Sequence, residues 1–316
     1  MFTIRPCEPR DYERVAWVHN AIQPEPELPE QMREEDERVR SKPGVIFHRV
    51  VAESQQGQVV GYGFAEHYPW MPAERWAIKA MVHPSARRQG VGQALFDHVK
   101  RLAEEGGGTK IEIWVRGDDE ESIAWSARRG FFVDRRRTES VLDLKEFSLA
   151  RFDGVVEQVE ASGIRLATMS DVDDALLYQI WELDVTTTRD IPIHNPADGD
   201  EPWEMYQAFW REFKDERVVA LAFDGDRPVG ISLLFLPRAE GAGAYTGFTG
   251  VYREYRGRNI ALALKLLTIR EAIRHGVPHM RTNNDPDNPS MLAVNARLGY
   301  RLVPGPCRLR PAGWED

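Results

Sequence analysis

Apolar positions recur along this chain in two rhythms, a period near two in short runs and a period near 3.6 in longer ones. Phe2–Pro6 alternates and predicts a strand, whereas residues 11–22 place Val15, Val18 and Ile22 on one helical face. A Pro- and Glu-rich stretch leads into a second helix over 29–40. Strands at 45–53 and 59–67 form a hairpin around Gln56-Gly57. A strand at 76–82, a long helix at 91–104, a strand at 110–115, a helix at 120–128 and a strand at 131–144 follow. The same order then recurs: strand 164–168, helices 172–184 and 202–213, and a hairpin of 217–223 with 228–236 around Asp224-Gly225-Asp226. Strand 244–251, helix 260–275, strand 279–283, helix 289–297 and a last strand complete it.

The recurrence has a register. At a shift of 169, Val60-Gly61 falls on Val229-Gly230, Arg87 on Arg256, Ala127-Arg128 on Ala296-Arg297 and Gly130-Phe131 on Gly299-Tyr300. The beginnings match at 160, Ile4-Arg5 with Ile164-Arg165, so the second copy carries nine more residues (169 − 160). The Pro-, Asn-, Asp- and Gly-rich stretch 191–200 is the natural place for them. Two domains, 1–146 and 164–316, are expected. Residues 147–163 between them form an amphipathic helix with Leu149, Phe152, Val155, Val156 and Val159 on one side and Gly163 at its end. That helix is either a connector or the finish of the first domain.

At 316 residues, two domains of ordinary size fit the length. No apolar run reaches membrane-span length, and the first residues lack the apolar core of a secretory signal. Cys7 and Cys307 are the only cysteines, too few for a disulfide framework or a zinc site. A reducing cytoplasm is expected. The net charge of −9 argues against nonspecific nucleic-acid binding. Arg135-Arg136-Arg137 alternates faces on a strand and reads as a solvated strand end. Asp285-Pro286-Asp287-Asn288 lacks calcium-loop spacing.

The informative segment is Val82-His83-Pro84-Ser85-Ala86-Arg87-Arg88-Gln89-Gly90-Val91-Gly92-Gln93-Ala94-Leu95. A strand ends, a basic, glycine-bearing turn follows, and a helix begins. Helix N-termini present free N–H groups and positive potential, so the turn suits a pyrophosphate. No third spaced Gly makes it a dinucleotide fingerprint, and no Gly-Lys-Ser/Thr makes it a Walker turn.

The pattern Val-x-Pro-x-x-Arg-x-x-Gly-x-Gly-x-x-Leu, with a helix ending in Gly-Phe some thirty-five residues on, resembles the GNAT superfamily of N-acetyltransferases. The resemblance implies an α/β (α+β) fold: two tandem domains, each a mixed, mostly antiparallel sheet flanked by helices, with central strands splayed to admit acetyl-CoA. By the same resemblance, Met81, Val82, Arg87, Arg88, Gln89, Gly90, Val91, Gly92 and Gln93 bind the cofactor in the first copy. Gly250, Val251, Arg256, Gly257, Arg258, Asn259, Ile260, Ala261 and Asn288 do so in the second. Asn259 replaces the first motif Gly, but Asn tolerates left-handed backbone. Asn288 occupies a position that bonds cofactor in the family. Its counterpart, Asp119, has a charge that suits an anionic ligand poorly.

Acetyl transfer to an amine needs a base, an oxyanion site and an acid for the departing thiolate. The family places the oxyanion site on main-chain N–H groups near Met81–Val82 and Gly250–Val251, and the acid on a Tyr four residues before the Gly. Ser126 and Asn295 stand at that place instead. Tandem members of this length include mycothiol synthases, and the missing Tyr counts against that assignment. Glu66, His67, Glu74 and His83 in the first copy, and Asp190, His194 and Glu254 in the second, are candidate bases. Glu66 and Asp190 lie at segment ends facing the acceptor mouth and are preferred. Trp70 and Trp203, in Pro-rich loops, are candidates to line an acceptor pocket, whereas Trp17, Trp114, Trp125 and Trp181 sit at core-like spacing. The expected activity is acetylation of a primary amine on a small molecule, the alternative an acyl-CoA-binding sensor with at least one non-catalytic copy. Acceptor and oligomeric state leave no trace in the sequence.

Overall fold

The computed structural model describes residues 2–169, 172–191, 200–212 and 214–314. In chain order the elements are β1 (Phe2–Pro6), α1 (Tyr12–Asn20), α2 (Pro29–Ser41), β2 (Ile46–Ser54), β3 (Val59–His67), β4 (Arg75–Val82), α3 (Val91–Glu105), β5 (Lys110–Arg116), α4 (Glu120–Ala127) and β6 (Phe131–Asp143). They continue with α5 (Val155–Ala161), β7 (Ile164–Met169), α6 (Asp174–Thr188), α7 (Trp203–Glu212), β8 (Arg217–Asp224), β9 (Arg227–Phe235), β10 (Ala244–Val251), α8 (Ile260–Arg274), β11 (His279–Asn284), α9 (Pro289–Leu298) and β12 (Arg301–Pro311). The expected elements are all present, with ends shifted by a few residues.

The chain divides into two units: residues 1–136 with 306–316, and residues 137–305. These differ from the contiguous domains expected, because each unit is completed by the last strand of the other repeat. In unit 1, Pro306–Leu309 of β12 pairs antiparallel with Arg116–Ile113 of β5. In unit 2, Thr138–Asp143 of β6 pairs antiparallel with Asn284–His279 of β11. The expected connecting helix is shorter than its pattern, since Gly154 at φ 82° interrupts it before α5. Phe152, Val156 and Val159 are buried in the hydrophobic clusters of unit 2, so this segment belongs to that unit rather than standing as a free linker.

Each unit repeats one topology. β1 to β4 and β7 to β10 run as antiparallel neighbours; β4–β5 and β10–β11 are parallel. In unit 1, α3 packs Leu95, Phe96 and Val99 against Trp76 and Ile78, while α1 and α2 cover the other face through Val15, Val18, Met32, Tyr62 and Met81. In unit 2, α8 covers one face with Leu262, Leu264, Leu266 and Ile269, and α6 with α7 covers the other. β8 and β9 are accordingly apolar on both faces, as the near-continuous run of buried residues in each shows. The repeated Gly61 and Gly230 have a packing reason: a Cβ at Gly61 would lie 3.0 Å from Leu95 of α3, and one at Gly230 lies 3.1 Å from Leu264 of α8.

The parallel pairs are short. β4 pairs with β5 only over Arg75–Ile78, and β10 with β11 only over Ala244–Tyr245. Beyond them the strands part. One edge of residues 79–82 and of residues 246–251 thereby loses its strand partner, and in unit 2 residues 248–251 border a cavity.

Candidate functional site

In both copies the strand that loses its partner ends in a basic turn that delivers the chain to a helix N-terminus, and the backbone of the two turns is the same. In unit 1, Arg88 (φ 62°) and Gly90 (φ 84°) take left-handed conformations; in unit 2, Gly257 (φ 75°) and Asn259 (φ 60°) do. Each copy therefore uses glycine at one left-handed position and a side-chain-bearing residue at the other. Asn259 adopts the geometry expected of it. The strain at Arg88, a residue with no affinity for that region, was not expected from the sequence. The conserved-register arginines act alike. Arg87 Nε donates to Val82 O at 3.3 Å and Arg256 Nε to Val251 O at 2.9 Å, each bracing its turn onto the strand end.

The chemistry around the two turns differs. In unit 1, Glu121 at the start of α4 takes Arg88 at 2.5 Å and lies 3.6 Å from Arg87. Asp119 spends both oxygens on Ser122, accepting from its N at 2.9 Å and its Oγ at 2.6 Å, as the cap of α4. Gln93 is held by Arg129, and Gln89 reaches Ser85 O at 3.5 Å. Val91 and Met81 are buried, so they offer main chain only. The register of 169 puts Asn288 at the place of Asp119 and Ser290 at that of Glu121. The acidic side of the unit 1 turn is thus neutral in unit 2.

Unit 2 holds a cavity of about 370 Å³. Gly250 and Val251 of β10, the turn residues Arg256, Gly257, Asn259, Ile260 and Ala261, and Asn288, Ser290, Met291, Val294 and Arg297 of α9 and its cap line it. Of the cofactor residues expected in this copy, only Arg258 is missing from that wall; its guanidinium donates to Ser162 O at 3.1 Å instead. Asn288 accepts from Met291 N through Oδ1, capping α9, and no described residue takes its Nδ2. That amide N–H₂ is a donor at the cavity wall, which Asp119 cannot be. Gly250 is required by close approach: a Cβ there would fall 2.4 Å from Thr187 Oγ1 on α6.

The expected bases fare differently. Asp190 lines the cavity, but its carboxylate is bound by Arg253 (Nε to Oδ1, 2.9 Å) and by Arg256. Hydrogen bonds from Arg253 hold it at about 2, against the opposing effect of burial. The group is thereby a brace of the turn and a poor proton acceptor. Glu66 stands on the α1 face of β3, where burial raises it to about 7 against the hydrogen bond from Tyr68 OH at 3.3 Å. Its neighbour His67 points to the opposite face, stacked on Trp76 and bonded to Arg75 O. Glu74 pairs with Lys110, Glu254 with Arg227, and His83 bonds Ser85 Oγ at 2.8 Å. His194 lies outside the described residues.

At the position of the family acid, Asn295 is buried and its Nδ2 donates to Asn284 Oδ1 at 2.7 Å; Ser126 is buried as well. Trp17 departs from its core expectation. It is 37 % exposed, stacked on His83 with Arg14 over its other face. Trp203 packs edge-on against Tyr178 and Trp181, and Trp70 lies 4.8 Å from Tyr68. Sequence reasoning passed over Glu121 and Lys265. The repeat register could have flagged both, since Ser290 and Phe96 are their counterparts. Among the described residues no helix is long and apolar enough to cross a membrane, and no cluster of three or more metal-ligating side chains occurs.

Comparison with known proteins agrees with this geometry. The profile of the acetyltransferase (GNAT) family matches twice, over residues 12–131 and 177–300. Curated relatives include the mycothiol acetyltransferase of Catenulispora acidiphila, 25 % identical over 267 residues, covering 78 % of this chain and 75 % of that protein. The mycothiol acetyltransferase of Streptomyces bingchenggensis is 26 % identical and covers 83 % and 80 %. Among solved structures, a tandem GNAT protein from the clavulanic acid biosynthesis pathway superposes with TM-score 0.77 at 22 % identity, covering all of both chains. A GCN5-related N-acetyltransferase from Sphaerobacter thermophilus gives 0.67 at 16 % identity, covering 100 % of this chain and 98 % of that one. Two matched regions, a repeated mixed sheet with splayed strands and a basic turn in each copy lead to one assignment: the chain belongs to the GNAT acetyltransferase family, as a tandem-domain acyltransferase.

Proposed function

We propose that this protein is an acetyl-CoA-dependent N-acetyltransferase that acts on a primary amine of a small molecule, with acetyl-CoA held in unit 2. The observation that carries the reading is the cavity between β10, the Arg256–Ala261 turn and α9. Its volume lies in the range of small-ligand sites. The α8 N-terminus and Arg256 offer positive potential for a pyrophosphate, Asn288 Nδ2 a neutral donor, and the unpaired edge of β10 N–H groups for the carbonyl oxygen under attack. Bound acetyl-CoA supplies a thioester that the amine attacks, giving an amide and releasing coenzyme A as a thiolate.

Of the described residues lining this cavity, Asp190 is the sole carboxylate and none is a histidine, and Asp190 is already held as an anion by two arginines. With Asp190 held as an anion, the amine arrives neutral or gives its proton to water in this reading. The rate should follow the acceptor's own ionisation and rise with pH. A thiolate leaves tolerably without an acid, since a free thiol ionises near ~8.5. The names of the relatives put mycothiol-related amines first among acceptors to try, despite the missing Tyr.

Thiol release measured over a panel of small amines tests this. Turnover whose kcat/KM rises with pH through the pKa of each acceptor amine is the expected result. A limb near pH 7 that Glu66→Gln removes would instead put the chemistry in unit 1 and overturn the placement. The second reading, acyl-CoA binding without turnover, is favoured by Asn295 and Ser126 in place of the acid. It predicts tight binding and no thiol release with any amine.

A further inference from the structure

The face of the unit 1 sheet turned away from α3 carries charges that its counterpart in unit 2 does not. The β3–β4 register sets Tyr62 opposite Met81, Phe64 opposite Lys79 and Glu66 opposite Ala77. Toward the covering helices several polar groups are paired, although Arg49 Nη1 is buried without a hydrogen-bond partner. Asp36 takes Arg49 at 2.7 Å and Tyr12 OH at 2.7 Å, and His19 Nδ1 lies 3.0 Å from the Tyr62 hydroxyl. Toward the strand ends they are not. Lys79, half-buried, has no hydrogen-bond or ion-pair partner among the described residues; Glu27 and Glu66, and the like charge of Arg49, act on it at a distance. Glu66 accepts from the Tyr68 hydroxyl and makes no ion pair among the described residues, with Arg49 and Lys79 acting on it only at a distance. Glu27 is positioned by Asn20, whose Oδ1 accepts from Glu27 N at 2.9 Å, and its carboxylate lies 3.4 Å from His19 Nε2.

Glu66 and Lys79 are diagonal cross-strand neighbours, with backbones roughly 7–8 Å apart. Their side chains are long enough to meet, yet they stand open. Keeping separate, half-buried charges is costly unless something pairs them. The fold does not demand them: at the register of 169 the places of Glu66 and Lys79 are held by Phe235 and Phe248, which pack with the apolar cluster of unit 2. Burial raises Glu66 and lowers Lys79, the direction expected of two groups each lacking a counter-ion.

We propose that this face of unit 1 binds a small zwitterion, such as an amino acid, with Lys79 taking its carboxylate and Glu66 with Glu27 taking its ammonium. A simple anion would leave the two carboxylates unpaired, and a simple amine would leave Lys79 unpaired. A molecule bearing both charges completes all three. The site stands independently of acetyl transfer in unit 2.

Calorimetry on the full chain without acetyl-CoA tests it, using glycine, β-alanine and phenylalanine beside their methyl esters and N-acetyl forms. Free zwitterions should bind at least tenfold tighter than either blocked form. Lys79→Met should erase the preference over the ester, and Glu66→Gln the preference over the N-acetyl form, with unchanged melting curves showing that both variants fold. Absence of zwitterion binding, equal binding of all three forms, or preferences that survive in both variants would overturn the proposal. Because no acetyl-CoA is present, that failure leaves the acetyl-transfer reading untouched.

Discussion

In unit 1 the basic turn between β4 and α3 meets an acid supplied by its own unit: Glu121 engages Arg88 and Arg87, and Asp119 caps α4 with both oxygens. In unit 2 the turn between β10 and α8 faces Asn288 and Ser290 across a cavity, and the one carboxylate among the described lining residues, Asp190, pairs with Arg256 and Arg253. The backbones are alike, down to two left-handed residues apiece. What separates them is the sign of the side chains at the start of the following helix. An anionic pyrophosphate must displace Glu121 in unit 1, whereas in unit 2 it meets donors. The sheet faces diverge at particular positions: Glu66 and Lys79 of unit 1 correspond to Phe235 and Phe248 of unit 2. On the proposed readings, unit 2 serves as the cofactor site and unit 1 as a polar ligand site.

The largest effect should come from giving unit 2 the acids of unit 1. Asn288→Asp with Ser290→Glu should lower acetyl-CoA affinity at least tenfold and thiol release with it, read by calorimetry and by a thiol assay. Each added charge near the pyrophosphate costs on the order of 1 kcal/mol or more in a partly desolvated site.

Next comes Lys265, buried on α8 beneath the Tyr300 ring where unit 1 has Phe96. Burial pushes its ammonium down to about 8. Because the folded value lies below the unfolded one, the penalty is complete below about pH 8 and is relieved as pH rises toward 10.5. Denaturant unfolding should therefore show stability rising over that window. Lys265→Met should stabilise the protein by about 2–3 kcal/mol at pH 7 and remove that rise.

The smallest effects probe the shared backbone. Arg88→Gly should raise stability by roughly 0.5–1 kcal/mol through relief of the left-handed strain, and Asn259→Gly by only a few tenths, since Asn already tolerates that region. Thermal melts would check the order; equal effects would contradict the claim that Asn259 is better suited to the left-handed region than Arg88.

Most of the frame was legible from periodicity and register. Alternation and helical spacing located the strands and helices, and the shift of 169 aligned Gly61 with Gly230 because a helix presses on each. The exchange of β6 and β12 between units was not legible, since a strand's sequence states which face it buries and not which neighbour it pairs with. The cofactor turn could be read because its chemistry is local in sequence. The bases could not, since their fitness depends on partners far along the chain: Arg253 and Arg256 for Asp190, and the surrounding burial for Glu66. Gly154 shows the finer failure, in which one left-handed residue shortened an amphipathic pattern that looked continuous.

The central claim, that unit 2 is the acetyl-CoA site, is tested most directly by titrating acetyl-CoA into the wild-type chain, the Asn288→Asp/Ser290→Glu variant and a Glu121→Ser variant. The account predicts one strong site in the wild type, its loss in the unit 2 variant, and its retention in Glu121→Ser with a second, weaker site gained. Full wild-type affinity in the unit 2 variant would contradict it.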